Sequence, residues 1–143
     1  MSLDSVYEKY RDRARFFVVY IREAHPTDGR PAPRDENRGI DVQTPRSFEE
    51  RENVAKTCAA KLEFAMPVLV DGMDDGVGEA YAAWPDRLFI VDASGRIAYR
   101  GGKGPRGFDV SEMETRLRSI LGVDQAERDG GGHDRGPARP RDD

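Results

Sequence analysis

The sequence predicts an α/β domain in which a mixed sheet is flanked by helices. Three observations carry this. Arg15 to Arg22, RFFVVYIR, has β-branched and aromatic residues on both faces, the pattern of a strand covered on both sides. Shorter apolar runs recur at Pro67 to Val70 (PVLV) and Arg87 to Val91 (RLFIV). Stretches with apolar residues at helical spacing separate and flank these runs.

The elements follow in order. Val6, Tyr7 and Tyr10 mark one face of a short helix ending near Arg13. The strand Phe16 to Ile21 comes next, then a long Pro- and Gly-punctuated loop from about His25 to Pro45, a length often tied to function. Ser47 to Leu62 is a helix with Phe48, Val54, Ala55, Cys58 and Leu62 on one side. Ser47 can cap it, and Glu50 three residues on can complete a capping box. After the strand PVLV, Asp74 or Asp75 can cap a second short helix running through Trp84, and Pro85 stops it. RLFIV and Arg96 to Arg100, RIAYR, form a hairpin across the turn Asp92 to Gly95, the second strand with one exposed side. A glycine-rich loop, Gly101 to Phe108, leads to a closing helix, Asp109 to Leu121, with Met113, Leu117, Ile120 and Leu121 on its core side.

Composition bounds the class. The chain has 143 residues, one domain's worth. Residues 124–143 hold no large apolar residue and are rich in Gly, Pro and charge. They are expected to form a disordered polar tail behind a folded domain of residues 1–123. The formal net charge of −4 argues against nucleic-acid binding through bulk positive charge. The longest run of large apolar residues, Phe16 to Ile21, is far below the roughly 20 that a membrane span needs, so no membrane partner is expected. The opening MSLDSVYEKY has no signal-peptide pattern, and a cytoplasmic location is expected. One cysteine, Cys58, allows no intrachain disulfide and no CxxC pair, and two histidines make a metal site an unfavoured reading.

Parallel strands with a helical crossover, then an antiparallel hairpin and a helix, resemble the C-terminal two-thirds of a thioredoxin-like fold. That fold places a cis proline ahead of the hairpin, here Pro85 after Trp84. Closer resemblance lies in VVYIREAHPTDG (Val18 to Gly29), PVLVDGMDD (Pro67 to Asp75) and YAAWPDRLFIVDASGRIAYRGGKGPRGF (Tyr81 to Phe108). These are similar to the strand-and-loop motifs of the iodothyronine deiodinase family over residues 5–122. The resemblance implies an oxidoreductase that reduces a small molecule by thiol- or selenol-dependent chemistry, reductive dehalogenation in the family, with an external thiol as reductant and no bound cofactor. It allows a homodimer, although no interface signature is legible.

In the family a selenocysteine or cysteine lies upstream of the helix that precedes EAHP, and this chain begins inside that helix. The sheet is therefore expected to lack its nucleophile-bearing strand, and the chain as written to be inactive. Either the native product is longer, with a strand and then Cys or selenocysteine beside Pro encoded in frame upstream, or a shortened protein has closed the gap in its sheet. The first is favoured. A peroxiredoxin-like peroxidase and a non-enzymatic module that binds a partner by strand addition at an exposed edge are the contrasting expectations.

The resemblance assigns catalytic roles to Glu23 and His25, at the end of strand Phe16 to Ile21. Ligands gather at such strand ends. Two apart in an extended segment, they share a side, and a His near a carboxylate can hold or relay a proton near neutral pH. The bland alternative is a loop-capping His25 beside a solvated Glu23. Lys103, between glycines in GGKGP, and Pro85 are the expected substrate-binding residues. Lys103 would steer an anionic group, although it lacks the bidentate fork of an arginine. A second family histidine has no counterpart in VQTPRS. Cys58, on the helix stripe with Val54 and Leu62, reads as a core residue rather than a nucleophile. Tyr81 and Trp84 read as core or pocket wall, and Asp74-Asp75 as a helix cap rather than a metal site.

Overall fold

The computed structural model describes residues 2–29 and 42–123, so the tail and much of the long loop lie outside the described residues. The order is α1 (Leu3–Tyr10), β1 (Val18–Tyr20), α2 (Phe48–Lys61), β2 (Val68–Val70), α3 (Gly76–Ala80), β3 (Phe89–Val91), β4 (Ile97–Arg100) and α4 (Val110–Ile120).

The first and last helices build the main core. Ser2 and Ser5 cap α1 reciprocally, each hydroxyl accepting the other's backbone N–H. That start places Val6 and Tyr10 one turn apart on a single face, and both are buried. Asp109 caps α4 by accepting from the Ser111 and Glu112 amides at 2.9 and 3.0 Å, and the same spacing brings Met113 and Leu117 inward. These four residues and Leu88 form one cluster. A polar clasp closes it: Glu114 Oε1 accepts from Tyr10 Oη at 2.9 Å and pairs with Lys9 Nζ at 2.8 Å. Ile120, expected inside, is 40% exposed.

The strands form two sheets rather than the single mixed sheet expected. β1 pairs in parallel with β2, Val19 opposite Leu69, and β3 pairs antiparallel with β4 across a bulge between Ile90 and Val91. No ladder joins the two sheets among the described residues. Val18 N–H donates to Pro67 O and Tyr20 O accepts from Asp71 N–H, so Val18 and Tyr20 turn their backbone groups towards β2. In a parallel ladder the residue between them faces the other way. Here that residue is Val19, and no second strand lies along that outer edge of β1 among the described residues.

Burial corrects the reading of two strands. β1 and β2 are not covered on both faces. Phe17, Val19 and Leu69 are 52%, 37% and 48% exposed, while Val18, Tyr20, Val68 and Val70 are partly buried. Helix α2 packs on β2, while Phe17, Val19 and Leu69 leave the opposite face substantially exposed.

The caps also differ from expectation. Ser47 caps α2, but the Glu50 carboxylate reaches past it to the Arg46 amide at 2.7 Å, so the box is not reciprocal. α3 ends at Ala80 rather than Trp84. Its amides are capped from a distance: Asp71, at the end of β2, accepts from Val77 and Gly78 at 3.0 and 2.8 Å. Asp75 occupies the N-cap position in a left-handed conformation and makes no cap bond. In the hairpin turn, Asp92 Oδ1 collects the Ser94 and Arg96 amides, and Gly95 has φ 82°, where glycine carries no Cβ penalty.

Candidate functional site

The segments that leave β1, β2 and β4 and the one that enters β3 meet at one cleft of about 180 Å³. Its walls include Arg22 just past β1, Asp75 past β2, Trp84 ahead of β3 and Lys103 past β4. Crevices at strand ends are where α/β proteins bind ligands.

The β1 end is shaped by Glu23. The chain bends here rather than staying extended, which corrects the expectation that Glu23 and His25 share a side. Nor is Glu23 solvated. Its carboxylate accepts from Tyr20 Oη at 2.7 Å and from the Ala24 and His25 amides at 3.1 and 3.4 Å. Burial and the Glu23 carboxylate together push the Tyr20 phenol well above the ordinary tyrosine range. His25 is half-buried with Nδ1 shielded from solvent. The carboxylate thus braces the backbone that leads into His25.

The β2 end is a buried charge network that sequence reasoning missed. Arg51 is 4% exposed. It pairs with Asp75 at 2.9 Å and donates to the carbonyls of Asp71 and Gly72. Burial alone would raise the Asp71 carboxyl. Donation from the Gly78, Val77 and Gly72 amides, with the Arg51 charge, outweighs it and holds Asp71 below the usual range. A signal existed in the sequence: Arg51 shares the helical stripe of Ala55 and Cys58, at offsets of four and seven. A cation on an apolar stripe calls for a buried partner.

Lys103 is presented by a loop locked through its glycines. Gly101 and Gly104 donate to Leu88 O and Asp86 O at 2.9 and 3.1 Å, which ties the loop to the segment after Pro85. A Cβ on Gly107 would meet Gly102 backbone at 2.6 Å, and one on Gly104 would strike the Asp86 carboxylate. Burial raises the Asp86 carboxyl. The Trp84–Pro85 peptide is cis, as the thioredoxin-like analogy suggests, and so is Gly104–Pro105. The Lys103 side chain is exposed and enters the cleft wall.

The structure therefore brings Lys103 together with Trp84 and Arg22. Glu23 and His25 lie on the same loop as Arg22 but do not line this cleft. Pro85 adjoins the cleft through Trp84. Tyr81 packs edge-on against Phe89, with ring centroids 4.9 Å apart. Cys58 is buried at 8% exposure. Burial, then the Glu23 carboxylate, raises its thiol, and Lys61 offsets this in part. That is the opposite of an activated nucleophile. Among the described residues no group of three or more acidic, His or Cys side chains is placed to hold a metal ion, and Asp75, at the N-cap of α3, makes no side-chain cap bond.

The molecule is thus a mixed α/β protein whose strand ends gather an arginine, an aromatic wall and a glycine-locked cation, with a carboxylate-braced turn on the loop beside them. Comparison with known proteins sharpens that class. The family model described as iodothyronine deiodinase matches residues 2–120. Thyroxine 5-deiodinase of Sparus aurata is 38% identical over 116 residues, 81% of this chain and 42% of its own length. The Ovis aries thyroxine 5-deiodinase is 36% identical over 112 residues, 76% of this chain and 36% of its own length. The type II iodothyronine deiodinase of Rattus norvegicus is 36% identical over 118 residues, 77% and 42% of the two chains. The chain belongs to the iodothyronine deiodinase family. It spans 36–42% of the length of these three relatives. No helix among the described residues is long and apolar enough to cross a membrane.

Proposed function

We propose that this chain forms the substrate-positioning and proton-handling part of a thioredoxin-like reductase that removes halogen from a small molecule. The observation that carries the reading is that Arg22, which leads from β1 into EAHP, and Lys103 of the GGKGP loop line one cleft at the strand ends, in a chain of the deiodinase family. Per turnover, a carbon–halogen bond becomes a carbon–hydrogen bond, two external thiols become a disulfide, and halide and one proton leave. His25 supplies the proton that reaches carbon, Glu23 fixes the turn that holds His25, and Lys103 and the Pro85 segment hold the substrate. The sulfur or selenium that takes the halogen is not Cys58, whose burial and raised thiol unfit it.

The test is halide release from a halogenated phenol with dithiothreitol, using the 143-residue chain and any longer in-frame product. Release by a longer product with Cys or selenocysteine ahead of α1, lost in His25→Gln, is expected. An in-frame stop other than UGA upstream, with no such motif, overturns the reading, as does halide release by the 143-residue chain itself.

A second reading rests on the uncovered face of β1–β2. Phe17, Val19 and Leu69 are exposed there, and Val19 has an unpaired backbone edge. An extended peptide with alternating apolar residues could add to β1 as a strand and cover that face. Loss of binding to such a peptide on Val19→Pro, with no halide release by any product, would select it.

A further inference from the structure

The cleft contains an arrangement that neither the EAHP turn nor the glycine loop explains. Arg22 places its guanidinium over the indole of Trp84, 5.6 Å from the ring centroid. Its ion pair is loose: Asp75 Oδ2 stands 3.8 Å away, and the Arg22 side chain remains 52% exposed. The Asp75 carboxylate is already engaged from behind by buried Arg51 at 2.9 Å. Lys103 lines the same cleft and makes no side-chain hydrogen bond or ion pair among the described residues.

We infer that Arg22, seated over the Trp84 ring, and Lys103 form a receptor for a planar carboxylate carried on a small apolar body. The indole restrains the guanidinium on one side, and its exposed donors remain available for a two-point contact with a carboxylate. Lys103 adds a point charge. Ile21 and the Trp84 ring give the apolar part of the ligand a surface to lie on. Glu79 is the opposing charge: it lines the cleft, is exposed, and has no side-chain partner among the described residues. It weakens the site for anions and makes it selective against multiply charged ones. The inference rests on reading the cleft as the substrate side of the proposed reductase, and it makes Arg22 a specificity-determining residue.

The sequence has one tryptophan, so the indole N–H resonance in a proton–nitrogen NMR spectrum reports this cleft alone. Benzoate, benzamide and inorganic phosphate are titrated into the 143-residue chain at constant ionic strength. Benzoate is expected to shift the indole resonance saturably, at least tenfold more tightly than benzamide. Arg22→Gln should weaken benzoate at least tenfold, Arg22→Lys less, and Glu79→Gln should tighten it, each with an unchanged far-UV circular dichroism spectrum. Equal affinity for benzoate and benzamide, tighter binding of phosphate than benzoate, or an Arg22→Gln variant that folds and binds benzoate as before overturns the inference. No turnover is measured. Absent halide release with carboxylate preference intact would remove the reductase reading and leave the receptor standing.

Discussion

Tyr20 and Glu23 are joined by a 2.7 Å hydrogen bond that spans the turn where β1 ends. The phenol donates, so the bond survives only while Tyr20 keeps its proton. Its folded-state pKa is raised, so folding favours the protonated form. The stability this contributes is complete below the ordinary tyrosine pKa of about 10 and is lost as pH rises past it. Tyr20→Phe is expected to reduce the fall in melting temperature between pH 9 and pH 11, measured by circular dichroism. An identical fall in both proteins would contradict this account.

Cys58 should behave as an inert core thiol. In the folded chain its reaction with an aromatic disulfide at pH 8 is expected to be at least tenfold slower than in urea, because burial both shields the sulfur and raises its pKa. Stopped-flow absorbance checks it, and equal rates would return Cys58 to the list of candidate nucleophiles.

The Glu114 clasp predicts acid sensitivity. Hydrogen bonds from Lys9 and then Tyr10 hold its carboxyl below the usual range. Its contribution is therefore present above the unfolded carboxylate pKa and fades as pH falls through the folded value. Glu114→Ala also strands the buried Tyr10 hydroxyl, at about 1–3 kcal/mol. Urea unfolding at pH 7 should show that loss, and the gap between variant and parent should narrow at pH 3.

The cation loop separates shape from charge. Gly107→Ala would force a Cβ against Gly102 backbone, which cannot move aside as a flexible side chain can. A loss of about 1–3 kcal/mol is expected, whereas Lys103→Ala, at an exposed position, should stay within about 0.5 kcal/mol of the parent. Thermal unfolding of the two variants side by side decides it.

Asp71 should matter more than its loop position suggests. Asp71→Asn leaves one of its two acceptor oxygens replaced by a donor facing α3 amides. A destabilisation of about 1–3 kcal/mol follows, with weaker acid dependence than the parent, since the depressed carboxyl no longer titrates. Urea midpoints from pH 3 to pH 7 give both quantities.

The local patterns were legible and the partners were not. Ser47 and Asp109 announced their helices, and the turn Asp92 to Gly95 announced its hairpin, because caps and turns are set by neighbours in sequence. The apolar run around β1 was read as buried on both faces, but periodicity reports which residues could be buried, not what stands opposite them. Val19 and Leu69 show the difference. Glu23, His25 and Lys103 were singled out through family motifs, and of these Lys103 lines the cleft. Arg22 was not singled out, since its meaning depends on Trp84, more than 60 positions away, and on Arg51 having claimed Asp75. Asp71 escaped for the same reason: it caps a helix that begins five residues later rather than at the next one.

The contact of Gly102 with Gly107 has an evolutionary consequence. The loop is shaped by its glycines, through the close Gly102–Gly107 approach and the fit of Gly104 against Asp86, rather than by the side chain at its tip. Exchange at position 103 during divergence or in the laboratory is then expected to alter the charge on the cleft wall while the scaffold beneath stays in place.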